Sequence, residues 1–218
     1  VFVIFISLPL WKKFELKAHI QHTSSVPISN QEALNRPYVK YGMLAFFVYV
    51  ALEGGTGLWA SSYLVQIKQI PVEQAATGVA LFFGGLTFGR ILDGFMAMKF
   101  SNVQRMRVGQ AITGLGIGAI ALAWTPLLSV MSLMLIGYGC APMYPAMIHE
   151  TPRRFKTEFS QAVIGLQMAA SYVGFATMPL LFGLISRRTS LVILPIYLML
   201  MLAVLIYANE KMNTANRK

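Results

Sequence analysis

The stretch Tyr41–Ile67 constrains this chain more than any other. It is apolar and long enough to cross a bilayer, yet it carries a carboxylate, Glu53, near its middle. With a rise of about 1.5 Å per residue, roughly 20 apolar residues span the hydrocarbon. An ionised acid at that depth costs about 2.5–3.5 kcal/mol on insertion scales. Water, a partner or a proton has to offset that cost. Helical spacing places Tyr49, Glu53, Thr56, Ala60 and Tyr63 on one stripe. The stripe is polar and small-sided in a segment otherwise suited to lipid, and is expected to wall an aqueous path.

The rest of the chain fits a membrane setting. Hydrophobic residues make up 56% and charged residues only 12%, with a mean hydropathy of +0.60; a soluble domain carries about 25% charged residues. Six apolar runs are expected to span: Tyr41–Ile67, Ala75–Met98, Val108–Trp124, Leu127–Ile148, Ala162–Ile185 and Leu191–Ala208. Each is too long for the short alternating strands of a barrel. The opening run, residues 1–11, lacks the basic start and cleavage site of a signal peptide. It is expected to be the end of a preceding transmembrane helix, and the chain the C-terminal part of a longer protein. Residues 12–40 form the longest polar connection, with an amphipathic stretch at Trp11–Ile20. Residues 41–208 hold the six-helix bundle and 209–218 a tail. The single cysteine, Cys140, excludes an internal disulfide framework and a Cys-based zinc cluster. No cofactor or metal is expected.

A net charge of +10 raises nucleic acid as a partner, but the cations lie between the apolar runs, where they set orientation. With the 12–40 loop placed in the cytoplasm, that side holds Lys12, Lys13, Lys17, Arg36 and Lys40, then Lys99, Arg105 and Arg107, then Arg153, Arg154 and Lys156, and finally Lys211, Arg217 and Lys218. The other side holds only Lys68, Arg187 and Arg188. The loop and the C-terminus are therefore expected in the cytoplasm of a multi-pass protein of the cell membrane, with no nucleic-acid partner. The Arg187-Arg188 pair breaches the pattern.

Several motifs stand out. Gly85/Gly89 and Gly114/Gly118 are both GxxxG pairs, which in lipid let helices approach closely. Arg90 and Asp93, one turn apart at the end of the second span, are expected to pair locally. Two readings stand for them: a helix end with snorkelling charges, or a latch that gates the cytoplasmic side. Pro142 and Pro145 interrupt the fourth span, removing backbone donors and freeing carbonyls that must face protein or a cavity. His149, at the interface, reads more simply as a solvated histidine than as a proton relay. In the fifth span, Gln167 and Ser171 share a face that needs partners in other helices; interhelical bonding and the binding of polyols or sugars both fit.

Two readings also stand for Glu53: a fixed ion pair with a basic residue of the half expected upstream of this chain, or a carboxylate that holds a proton in one state and releases it in another. The expected lining of a solute cavity is Tyr49, Glu53, Thr56, Tyr63, Tyr138, Gln167 and Ser171, with Arg90 and Asp93 as gating residues. Soluble-enzyme signatures are missing: no GxGxxG after a strand, no Walker lysine loop, no HExxH and no GxSxG. The chain is not expected to be an enzyme.

These residues resemble the C-terminal half of a major facilitator superfamily transporter over essentially the whole chain. Glu53-Gly54-Gly55 followed by Trp59 and Tyr63 is similar to the seventh-helix pattern of the fucose permease-like branch. Gly89-Arg90 with Gly94 resembles its eighth helix, Ala141-Pro142-Met143-Tyr144-Pro145 its tenth, and Gly165 with Pro179 its eleventh. Asp93 departs from the small residue common at its position. The resemblance implies half of a twelve-helix fold built from inverted three-helix repeats. It also implies alternating-access symport of a sugar or related small solute with protons. The implied partners are that solute, protons, the bilayer and an N-terminal half upstream of Val1. Proton-antiport export and a non-transporting membrane sensor or scaffold are the alternatives.

Overall fold

The computed structural model describes residues 29–155 and 157–215. The expected helix end at 1–11, the Trp11–Ile20 stretch and residues 216–218 of the tail lie outside the described residues. Among them, helices follow one another directly: α1 Asn30–Leu34, α2 Val39–Gln66, α3 Val72–Met96, α4 Asn102–Leu122, α5 Pro126–Cys140, α6 Met143–Arg154, α7 Thr157–Arg188, a 3-10 turn Leu191–Ile193 and α8 Leu194–Ala215.

Most helices outrun the apolar runs that announced them. Hydropathy marks the depth of the hydrocarbon, whereas helical hydrogen bonding continues into water wherever a cap closes it. Ser101 and Gln104 form a reciprocal capping box, so α4 begins six residues before its apolar stretch. Thr125 caps α5 with Pro126 in the first turn, where the missing N–H costs nothing. Residues 39 and 40, expected in the loop, already belong to α2, and the tail is helical to Ala215.

Five segments are long and apolar enough to cross a membrane: Val39–Gln66, Val72–Met96, Pro126–Arg154, Glu158–Arg188 and Leu191–Thr214. α4 is more polar, because it opens on Asn102, Gln104, Arg105 and Arg107. Connectivity still makes it a crossing: it joins the far end of α3 to the near end of α5, and its 21 residues reach about 30 Å. The chain is an all-α multi-pass membrane protein.

The contacts reveal an internal order that residue similarity hides. α2 packs on α7 and α8, while the α5–α6 span packs on α3 and α4. α2 also touches α3, as α6 touches α7, and α4 meets α8. Exchanging the first three spans for the last three maps this set of neighbours onto itself. Three crossings reverse direction, so the two triplets run inverted, the arrangement of transporter repeats.

Glycine decides the closest approaches. A Cβ on Gly85 or Gly137 would overlap the backbone carbonyl of Met134 or Phe82, and one on Gly89 would lie 2.6 Å from the Ala141 Cβ. The Gly85/Gly89 pair is thus the seam between α3 and α5. The second GxxxG pair does not act as expected: Gly118 meets nothing, and Gly114 meets only Leu202. The α4–α5 seam uses Gly109 and Gly116 instead, and a Cβ on the latter would lie 2.9 Å from the Ile136 nitrogen. Their seven-residue spacing returns to the same face after two turns. Because the Phe82 carbonyl belongs to a helix ladder, it cannot step aside. Gly137→Val is expected to destabilise the bundle by about 3 kcal/mol or more, read as loss of the monodisperse peak when the full-length protein is extracted in mild detergent.

The cations on the sparsely charged side have local duties. Lys68 donates to the carbonyls of Ala121 (3.0 Å) and Ala123 (2.8 Å), closing the end of α4. Arg187 and Arg188 occupy the last turn of α7, where the helix dipole favours positive charge. That accounts for the breach in the orientation pattern.

Candidate functional site

α2 is the central wall of the candidate site, and its glycines admit side chains from three neighbours. Phe175 of α7 lies 2.9 Å from where a Gly54 Cβ would sit, Tyr197 of α8 2.8 Å from that of Gly55, and Phe83 of α3 3.2 Å from that of Gly57. Trp59 completes the clamp on α7: its indole donates to the Pro179 carbonyl at 3.0 Å, and its ring meets Phe182 edge-on. Proline at 179 lies inside α7 and has no N–H to give the carbonyl one turn back, and Trp59 ties the proline's own carbonyl to α2. Trp59→Phe is expected to cost about 1–2 kcal/mol, seen as a lower melting temperature of the purified full-length protein.

Most of the polar stripe on α2 faces its own bundle. Tyr49 is 1% exposed, and its hydroxyl donates to the Cys140 carbonyl at 3.0 Å, in the last turn of α5. The helix breaks there at Ala141-Pro142, so its final carbonyls need outside donors. Tyr144 of α6 packs between Phe46 and Tyr49. Thr56 is wholly buried and donates to the Leu52 carbonyl. Tyr63 is buried, with the Lys68 ammonium 5.9 Å from its ring. On α7, Gln167 accepts from the Thr151 hydroxyl at 3.0 Å, and Ser171 donates back to the Gln167 carbonyl; both are buried. Tyr49, Thr56, Tyr63, Gln167 and Ser171, expected to line a cavity, are therefore enclosed by the helices of this bundle. Side chains step by about 100° around a helix. That leaves Tyr49, Thr56 and Tyr63, seven apart, on the buried side and turns Glu53 about 40° away toward α3.

Glu53 keeps about a quarter of its side-chain surface, and its Oε1 lies 3.9 Å from the Arg90 Nη2 of α3. The expected local pair of Arg90 with Asp93 does not form. Asp93 instead accepts from Arg105 of α4 at 2.6 Å, with both side chains buried. A buried charge-assisted bond to a neighbouring helix outweighs a solvated one-turn contact worth a few tenths of a kcal/mol.

Arg105 begins a chain of contacts that sequence reasoning treated only as orientation charge. It donates to the Asn102 side chain at 2.6 Å; Asn102 donates to Glu150 of α6 at 2.8 Å; Arg153 lies 3.8 Å from the same Glu150 oxygen. The network ties α3, α4 and α6 together at the basic end of the bundle. The sequence signal was present, since Asn102 and Arg105 share a face just inside a capped helix start. Tyr138, another expected lining residue, faces this network rather than Glu53. With Gly89, Asp93, Met96, Arg105, Val108, Ile112 and Pro142 it lines a cavity of about 40 Å³. One Asp93 oxygen and the Arg105 Nε have no hydrogen-bond partner there. Among the described residues, no group of three His, Cys, Asp or Glu side chains is placed to hold a metal.

No protein-family model matches the chain. An uncharacterized MFS-type transporter of Yersinia pestis is 23% identical over 150 residues, 69% of this chain and 38% of that protein. Bypass of stop codon protein 6 of Saccharomyces cerevisiae is 25% identical over 187 residues, 79% of this chain and 37% of that one. The crystal structure of FucP, a major facilitator superfamily transporter in the outward conformation, superposes with a TM-score of 0.73 at 16% identity, covering 88% of this chain and 47% of that one. This chain folds as one six-helix half of a major facilitator transporter. A variant of the Escherichia coli fucose:proton symporter superposes equally well, with 88% and 48% covered.

The chain spans less than half the length of these relatives. In a major facilitator half, solute sites lie near the midplane at the boundary with the other half. A side chain sealed within one half does not reach that boundary without repacking. Glu53 and Arg90 keep open surface and lie within helices long and apolar enough to cross a membrane. Tyr49→Phe leaves the Cys140 carbonyl without its donor. It is expected to lower stability by about 1–3 kcal/mol, read as a lower melting temperature of the purified full-length protein.

Proposed function

We propose that the full-length protein is a secondary active transporter of the cell membrane, moving a small polar solute, a sugar or a related metabolite, by alternating access in symport with protons. The 12–40 loop and the C-terminus lie in the cytoplasm, following the Lys/Arg bias. Supporting the reading most directly is Glu53. It is a membrane-depth carboxylate with open surface, whose cation stands 3.9 Å away, beyond hydrogen-bonding range. A pair held shut closes to bonding distance, as Asp93 and Arg105 do here. Glu53 is free to exchange its partner for a proton when the site changes hydration. The likeness to the fucose:proton symporter suggests both sugar and proton. The buried network around Arg105 is the latch at the cytoplasmic end in this reading, with Asp93 and Arg90 in different roles: Asp93 in the latch, Arg90 at the coupling carboxylate.

The test uses the full-length protein in lightly buffered proteoliposomes. Adding a transported solute outside is expected to acidify the lumen as solute enters. Solute flux without a pH change removes proton coupling. Saturable binding with no flux for any bound solute favours the sensor reading.

A further inference from the structure

Arg90 has more hydrogen-bonding capacity than the bundle uses. It stands six residues before the end of α3, about 9 Å inside the helix end. Its guanidinium carries five N–H donors in a planar fork, yet it makes no hydrogen bond among the described residues, and half of its side-chain surface is open. The same face of α3 continues through Phe83, Thr87 and Gly94, all exposed. A Cβ on Gly94 would meet nothing within 4 Å. The Thr87 hydroxyl donates to the Phe83 carbonyl, which leaves its oxygen free to accept. An arginine fork, an accepting hydroxyl one turn away and open space one turn beyond make a surface shaped for an anionic oxygen pair beside a hydroxyl.

We propose that the solute carries a carboxylate, as a sugar acid or hydroxy acid does, and that Arg90 binds it while Glu53 takes up the proton. This rests on the transport reading above. Charge balance supplies the coupling. In the empty site Glu53⁻ and Arg90⁺ sum to zero. A carboxylate on Arg90 with Glu53 still ionised leaves one uncompensated negative charge at membrane depth, which is costly. A proton on Glu53 restores neutrality, so solute and proton enter together and no net charge moves. The groups around Glu53 permit this. Tyr49 on its own helix, Arg90 of α3 and Cys140 of α5 are its electrostatic neighbours. Tyr144 of α6 lies behind Tyr49, Tyr197 of α8 is bonded to the Ala51 carbonyl, and α7 presents Phe175 and Pro179 near Gly54. Arg90 is the one cation among them.

The experiment compares D-glucuronate, D-galacturonate and D-gluconate with D-glucose, D-galactose and L-fucose. It measures thermal stabilisation of the purified full-length protein and uptake into proteoliposomes. At least one acid is expected to stabilise the protein and be taken up, with uptake driven by a pH gradient and unchanged by a potassium–valinomycin potential. Arg90→Gln is expected to weaken acid binding by about tenfold or more. Arg90→Lys, which keeps the charge but loses the fork, should fall between. Glu53→Gln should bind the acid with little dependence on pH. Melting temperatures of the ligand-free variants control for folding. Proton-linked uptake of a neutral sugar, unchanged in Arg90→Gln, overturns this inference and leaves the transport reading standing. Stabilisation and uptake by none of the six solutes overturns the assignment of solute class. Acid uptake that follows the membrane potential overturns the charge balance.

Discussion

Glu53→Gln in the full-length protein is expected to abolish accumulation of solute against its gradient while preserving exchange of solute across the membrane. Glutamine keeps the size and hydrogen-bonding reach of the protonated acid but cannot ionise. A transporter locked in the protonated form can cycle loaded but cannot give up its proton to complete the empty return. The measurement is paired: pH-gradient-driven uptake, and counterflow of labelled against unlabelled solute. Loss of both assigns Glu53 to folding or binding. Undiminished uphill uptake removes it from coupling altogether. The variant also leaves Arg90 half exposed without its 3.9 Å counter-ion. Because that contact is too long to be a hydrogen bond, the effect on melting temperature is expected to be small, and function and stability separate cleanly.

The opposite separation is expected at Arg105. Arg105→Met leaves the buried Asp93 carboxyl without its partner and the Asn102 side-chain oxygen without its donor. Removing one member of a buried ion pair costs about 3–5 kcal/mol, a large fraction of a typical total. The double variant Asp93→Leu/Arg105→Met is expected to recover most of that loss, since a buried pair is often replaceable by well-packed apolar residues. Differential scanning fluorimetry of the three proteins in detergent decides it. If the double variant stays as unstable as the single one, the remaining Asn102–Glu150 link depends on the pair. A stable double variant that cannot transport is the outcome expected of a latch, since the fold would then stand without the charges while switching would not.

The sequence marked the membrane and the six crossings, and its cations carry the direction proposed for them. Those follow from the length of apolar runs and the placement of cations, each a property of short segments facing one solvent boundary. It also marked the break at Pro142, because proline acts on its own backbone. What tertiary structure decided was pairing. Helical periodicity put Tyr49, Thr56, Tyr63 and Glu53 on one stripe, but an arc that wide meets several neighbours. Only the placement of α5, α6 and α3 showed that the first three are enclosed and that Glu53 turns toward Arg90. Asp93 likewise stood one turn from Arg90 in the chain, yet bonds to Arg105 across a helix boundary. Charges choose partners by distance and desolvation in three dimensions, and no spacing along one helix encodes what the next helix brings.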